Sequence, residues 1–102
     1  MEERRLKRGE LWIAAIDKMR PVLIMSTFTG LHDVQIIPAT TRIRGLVTEV
    51  GLGKTDGLNY DCVLNAQQLQ LVPTGVLSAR IGELGPDKLA EVCRAVKEAI
   101  GC

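Results

Sequence analysis

A chain of 102 residues, 46% apolar and 3% aromatic, with a formal charge of +1, reads as one small domain with an aliphatic core. So few aromatics argue against nucleic-acid binding on several stacking platforms, and a near-neutral total leaves only a local basic face for a polyanion. The three cysteines (Cys62, Cys93, Cys102) lack disulfide or zinc spacing, and the single histidine, His32, leaves no cluster of metal ligands, so a reducing, cytoplasmic setting without metal or other cofactor is expected.

The N-terminal run containing Arg4, Arg5, Lys7 and Arg8 reads as a solvated, frayed arm. It lacks the apolar core of a signal peptide, and no later apolar run is long enough to cross a membrane. Leu11–Ile16 is a short apolar run with strand composition. Val22–Met25 is a second strand opened by Pro21, a permitted place for a residue without an amide donor. Only the Asp17–Arg20 segment separates the two, so they pair as a tight hairpin. Asp33–Ala39 is a third strand, with His32 in the loop before it.

Leu46–Val50 alternates apolar and polar side chains as a half-buried strand does. Gly51 to Asn59 form a long loop. Cys62–Asn65 and Leu69–Val72 are two short strands, or one strand bent around Gln67 and Gln68. Pro73 and Gly75 turn the chain. A helical turn followed by a short strand near Arg80–Leu84 comes next. The last element is an amphipathic helix. Pro86 opens it, Asp87 favours its positive end, Gly101 closes it, and Leu89, Val92, Val96 and Ile100 form its apolar stripe. Cys62 and Cys93 read as small core residues. Short strands with tight turns and one terminal helix make a mainly β fold, a curved antiparallel sheet or small open barrel covered by the helix.

Any chemistry in such a chain must come from guanidinium, hydroxyl and amide groups. Arg20 precedes Pro21, which holds its backbone extended at the end of the hairpin. Thr40 and Thr41 follow Pro38-Ala39 at a strand end, and one of the two must face outward. Arg42 and Arg44 lie just beyond them. Asn65, Gln67 and Gln68 cluster amides that can read base edges or phosphates. Arginine's planar fork suits phosphate oxygens, so a polyanionic substrate is expected. Gly51-Leu52-Gly53-Lys54-Thr55 has a superficial likeness to a phosphate loop but lacks its spacing and the helix that should follow.

Several blocks resemble, in order, the MazF/PemK family of bacterial toxin endoribonucleases. They are Lys7-Arg8-Gly9-Glu10-Leu11-Trp12, Arg20-Pro21-Val22-Leu23-Ile24, Ile37-Pro38-Ala39-Thr40-Thr41-Arg42, Asp61-Cys62-Val63-Leu64 with Gln67-Gln68-Leu69, and Arg80-Ile81-Gly82-Glu83-Leu84 leading into Leu89-Ala90-Glu91-Val92. The resemblance runs from about Lys7 to Gly101. It implies a single SH3-like small barrel with a C-terminal helix, a homodimer, and neutralisation by a cognate antitoxin. It also implies metal-independent cleavage of RNA (messenger, transfer or ribosomal) at short motifs, giving a 2′,3′-cyclic phosphate and a 5′-hydroxyl. By the same resemblance Arg20 and Thr40 are the catalytic pair and Gln68 contacts RNA; Thr41, Arg42, Asn65 and Lys18 are expected to contact it too. The hairpin connection Asp17-Lys18-Met19 is shorter than the lid common in the family, which leaves the cleft open to a folded RNA. The competing reading is a CcdB-like toxin of the same fold, which acts on DNA gyrase through its C-terminal helix and cleaves nothing.

Overall fold

The computed structural model describes residues 6–27 and 32–102. The chain forms β1 (Glu10–Ala15), β2 (Met19–Thr27), β3 (Asp33–Thr40), β4 (Glu49–Leu52), β5 (Cys62–Asn65), β6 (Gln70–Pro73), β7 (Leu77–Glu83) and the helix α1 (Pro86–Ile100). β1, β2 and β3 pair as an antiparallel meander, and β7 returns to the free edge of β1. The order across the sheet is β4-β5-β3-β2-β1-β7, with β6 also on β3.

This is the expected antiparallel sheet with a C-terminal helix, but the barrel does not close, because β4 and β7 lie at opposite ends of the order. The reason lies on the outer edge of β3. Its first half, Asp33 to Ile36, pairs with β6, and its end, Ala39 and Thr40, pairs with β5. Pro38 sits in the hand-over and has no amide with which to continue either ladder. The sheet therefore splits and curls there.

Alternation along the strands sorts side chains into two cores. Leu11, Leu23 and Ile37 stand side by side across three strands, and they pack with Val50, Leu52, Leu64 and with Val92 and Ala95 of α1. Val22, Ile24, Val34 and Ile36 face the other way and pack with Ala14, Val72 and Leu77. Burial on both faces explains why the middle of β2 reads as an unbroken apolar run.

Several local expectations shift. β2 begins at Met19, so Pro21 is interior to the strand, but the β2–β3 ladder starts only at Val22, one residue past the missing amide. β4 begins at Glu49 rather than Leu46, and Leu46 and Val47 are exposed. The Glu49 carboxylate takes the amides of Arg44, Gly45 and Leu46, which a strand would have offered to a neighbour. The amide-rich segment after β5 is a 3-10 turn, Ala66–Gln68, so β5 and β6 are separate strands. The turn near Gly75 is also 3-10, and β7 starts earlier than expected, at Leu77.

In α1, Pro86 and Gly101 hold the expected ends, with Gly101 left-handed at φ 75°. Ile100 is 62% exposed, however, and Ala95 takes its place in the core. In the last turn it is Ala99, not Ile100, that packs against this core. Cys62 is buried as expected, and burial pushes its thiol up. Cys93 is only half-buried, and the Arg8 guanidinium donates to its Sγ at 2.8 Å. Lys7 pairs with Glu83 at 3.3 Å, so Lys7 and Arg8 are tied to the body and are not part of a frayed arm. Arg4 and Arg5 lie outside the described residues.

Candidate active site

The β1–β2 hairpin closes with Ala15 opposite Met19, which leaves Ile16, Asp17 and Lys18 in the turn. Arg20 follows immediately, opposite Ala14. Alternation places it on the same face of β2 as Val22 and Ile24. On β3 the same alternation puts Thr40 on the face of Ile36 and Pro38. Val22 stands opposite Pro38, and continuing that register by two residues sets Arg20 across from Thr40. Both side chains line one open cleft of about 290 Å³. Ile16, Pro38 and Ala39 give the cleft its apolar lining, and Ile16 packs against the second core.

Arg20 is held on three sides. Its Nε and Nη2 donate to the two oxygens of Asp17 at 2.6 and 2.7 Å, and Nη1 donates to the Ala39 carbonyl at 3.3 Å. The bidentate hydrogen bonds from Arg20 hold the Asp17 carboxyl far below the usual carboxylate range, and Asp17 in turn raises the guanidinium further above neutrality. A guanidinium carries five N–H donors. Three are spent on the protein, so two are left for a substrate oxygen.

Opposite, Thr40 is half-buried, and its Oγ1 accepts the Arg42 amide at 3.2 Å. Its hydroxyl proton is thus free to donate outward. Arg42 and Arg44 reach the same cleft from the loop after β3, and Glu49 anchors that loop through its backbone amides. The far wall comes from the turn after β5. The Asn65 Oδ1 accepts from Thr48 Oγ1 at 3.0 Å and from the Gln67 amide at 3.1 Å, which commits that oxygen to the turn. Gln68 and Gln70 complete the wall.

Of the residues singled out by sequence, Arg20, Thr40, Arg42, Asn65 and Gln68 meet at this cleft. Thr41 and Lys18 are exposed and lie outside its lining. Thr41 alternates away from Thr40, and Lys18 sits at the tip of the hairpin. Three polar lining residues escaped the sequence reading of the site, Asp17, Glu49 and Gln70, and Arg44 was noted beside Arg42 without a role. Asp17 had a legible signal, since a carboxylate three residues before an arginine across a tight turn is placed for a fork-to-fork pair. Gln70 opens β6 just past the turn that carries Gln68, and the Gln70 side-chain amide donates to the Gln68 carbonyl at 3.1 Å. Glu49 had none, because its partners are backbone amides of a loop.

Chemically, this is an anion cleft. Three arginines face it, and both of its carboxylates are already engaged, Asp17 by a guanidinium and Glu49 by main-chain amides. Among the described residues no three His, Cys, Asp or Glu side chains gather to hold a metal ion. No helix among them is long and apolar enough to cross a membrane.

A family model of PemK-like, MazF-like toxins of type II toxin–antitoxin systems matches residues 7–100. The chain belongs to the MazF/PemK family. Its relatives include endoribonuclease MazF3 of Mycobacterium tuberculosis, 40% identical over 92 residues that cover 87% of this chain and 85% of that protein. The Mycobacterium tuberculosis toxin MazF-mt6 superposes with a TM-score of 0.84 at 34% identity, covering 90% of this chain and 96% of that one. A mycobacterial endoribonuclease, solved with its cognate antitoxin, superposes with a TM-score of 0.84 at 25% identity over 95% of this chain and 96% of that one. These MazF/PemK relatives favour RNA cleavage, and the CcdB-like alternative draws no support from them.

Proposed function

We propose that this protein is a toxin endoribonuclease that cuts RNA at short motifs without a metal ion, by attack of the substrate's own 2′-hydroxyl on the neighbouring phosphorus. The observation that carries the reading is Arg20 and Thr40 lining one arginine-rich, anion-binding cleft. RNA supplies the nucleophile. The 2′-oxygen bonds to phosphorus, the bond from phosphorus to the 5′-oxygen breaks, and the products are a 2′,3′-cyclic phosphate and a 5′-hydroxyl. One proton leaves the 2′-oxygen and one reaches the departing 5′-oxygen.

The two free donors of Arg20 meet the charge that builds on the phosphoryl oxygens in the transition state, where a fixed, partly dehydrated donor is worth most. Thr40 donates to a phosphoryl oxygen or to the 2′-oxygen and sets the in-line geometry. Asp17 is too acidic in its paired state to serve as the base, so its part is to hold the guanidinium. Arg42, Gln68 and the Asn65 amide contact flanking phosphates and base edges. Thr41 and Lys18, outside the cleft, can touch only RNA that runs past its rim. The protein acts in the cytoplasm as a homodimer and is neutralised by a cognate antitoxin, a partnership that the antitoxin-bound mycobacterial relative supports.

The test is cleavage of RNA in excess chelator by the wild type, Arg20→Ala and Thr40→Ala. Wild-type cleavage with cyclic phosphate ends, lost in both variants, is expected. Cleavage that survives both substitutions removes the site assignment, and cleavage abolished by chelator removes the mechanism.

A further inference from the structure

The segment that superficially resembled a phosphate loop leads into a second concavity, beside the cleft. It is lined by Gly53, Lys54, Asp56, Tyr60, Asp61 and Lys88 among others. Two of its charged side chains, Asp56 and Lys88, are spent internally. Asp56 accepts the Gly53 amide at 3.0 Å and stands 3.9 Å from Lys88 Nζ, which donates to the Gly51 carbonyl at 2.8 Å. Asp61 is tucked against Gly53, where a Cβ would come within 2.8 Å of Oδ1. Among the exposed groups of its lining, two suit a nucleotide. Tyr60 is 49% exposed, and Lys54 is exposed with no ion pair among the described residues.

Tyr60 is a costly residue to leave half in water, since an aromatic ring carries a large apolar area. The other described aromatic, Trp12, is packed against the second core and donates to Glu10. Tyr60 lies three residues before Val63, which pairs directly with Thr40. Even fully extended, that stretch spans only roughly 10 Å. After Asp17, the Tyr60 phenol is the smallest of the influences that raise the Arg20 guanidinium further above neutrality.

We propose that Tyr60 is an aromatic platform on which a nucleotide flanking the scissile phosphate stacks, with Lys54 taking that nucleotide's phosphate. The proposal rests on the reading of the protein as an RNA-cleaving enzyme and extends its substrate path beyond the cleft. Stacking tolerates any base, because every base has a π face. Tyr60 therefore adds affinity without choosing the motif. The low aromatic content argued against many platforms, and one placed beside the reacting groups is enough to anchor a single strand.

The experiment measures binding of a single-stranded RNA oligonucleotide carrying 2′-deoxy substitutions, which cannot be cut, to the full chain. Tyr60→Ala should weaken binding by about 5- to 100-fold, while Tyr60→Phe, which keeps the ring, stays within about twofold. On cleavable RNA, Tyr60→Ala should raise KM, leave kcat and the cleavage motif unchanged, and so separate a platform from a catalytic group. Lys54→Ala should lower the slope of log affinity against log salt by about 0.7. Wild-type affinity in Tyr60→Ala overturns the proposal, as does unaltered RNA binding joined to weaker self-association, which would give the ring to a protein interface. Wild-type protein that binds RNA through Tyr60 but cuts none would sink the nuclease reading and leave the platform standing. Wild-type protein that binds no RNA would end both.

Discussion

Asp17 grips Arg20 edge-on, with both carboxylate oxygens at 2.6 and 2.7 Å from two guanidinium nitrogens. The pair spans the tip of the β1–β2 hairpin, so the turn itself aims the arginine. Asp17→Asn keeps the shape of the turn and loses the charge and one acceptor. Arg20 then gains freedom to swing, and kcat on a cleavable RNA should fall by about 10- to 100-fold, since a small misplacement of a reacting group is expensive. Circular dichroism and melting of this variant should match the wild type, because Asp17 is a surface residue. Full activity in Asp17→Asn would show that the Ala39 carbonyl alone suffices to aim the guanidinium.

Acid separates this pair from the rest of the molecule. Asp17 is held far below its ordinary range by Arg20, so the clamp is fully charged at pH 7 and stays so through pH 5. A depressed carboxyl pKa contributes above its unfolded value and fails only as pH drops through its folded value. Activity between pH 7 and pH 5 should therefore show no limb that Asp17→Asn removes. A limb present in wild type and absent in the variant would contradict the geometry.

Arg20→Lys is not a mild change here. A lysine ammonium cannot hold both Asp17 oxygens and the Ala39 carbonyl while leaving two donors for substrate. A loss of at least about 100-fold in kcat is expected, the scale of losing an oriented donor to transition-state charge. Thr40→Ser should keep most activity and Thr40→Val should lose about 10- to 100-fold, because the hydroxyl matters and the methyl does not. Equal rates for serine and valine at this position would remove Thr40 from the reaction.

Much of this was legible in the chain. The hairpin, β1, β3, β5 and α1 followed from apolar runs, prolines and glycines, each a local rule with a local cause. The meeting of Arg20 and Thr40 followed from family motifs, and the physical reason for it is the register of β2 and β3, which composition cannot supply. What was missed shares one feature. β4 was placed early because Leu46 and Val47 look like strand, and only the Glu49 carboxylate, gathering amides of the loop, forbids it. Ile100 fits the helical period and still faces water, because the stripe drifts around the helix and Ala99 takes the inward position in the last turn.

That last point is measurable. Val92 is 1% exposed in the helix-side core, so Val92→Ala should cost about 2–3 kcal/mol through lost burial and a cavity. Ile100→Ala should stay within about 0.5 kcal/mol. In thermal melts the first should lower Tm by roughly 10 °C or more and the second barely move it. Similar losses at both positions would mean that the end of α1 is covered.

Glu10 should govern acid stability. It is buried, and although burial pushes its carboxyl up, hydrogen bonds from Arg80, Trp12 and the Lys7 amide outweigh that and hold it below the ordinary value of 4.5. The sign follows: the stabilisation is present above that value and is lost as pH falls through the lower, folded one. Urea midpoints should be flat from pH 7 to 5 and fall below about pH 4. Glu10→Gln should cost about 1–3 kcal/mol at pH 7 and flatten the acid limb. An acid limb unchanged in Glu10→Gln would assign the loss to other carboxylates.

Arg20 stands beside Pro21, and Thr40 two residues beyond Pro38, so both reacting groups are mounted on backbone with little freedom to flex. The groups that would read bases sit elsewhere, Gln68 on the turn after β5, Gln70 at the start of β6, and Arg42 and Arg44 on the loop after β3. Preference for one RNA word over another can thus be rewritten by exchanging those side chains without retuning the cutting step. A library randomised at these four positions would be a search through vocabularies in which most members still cut.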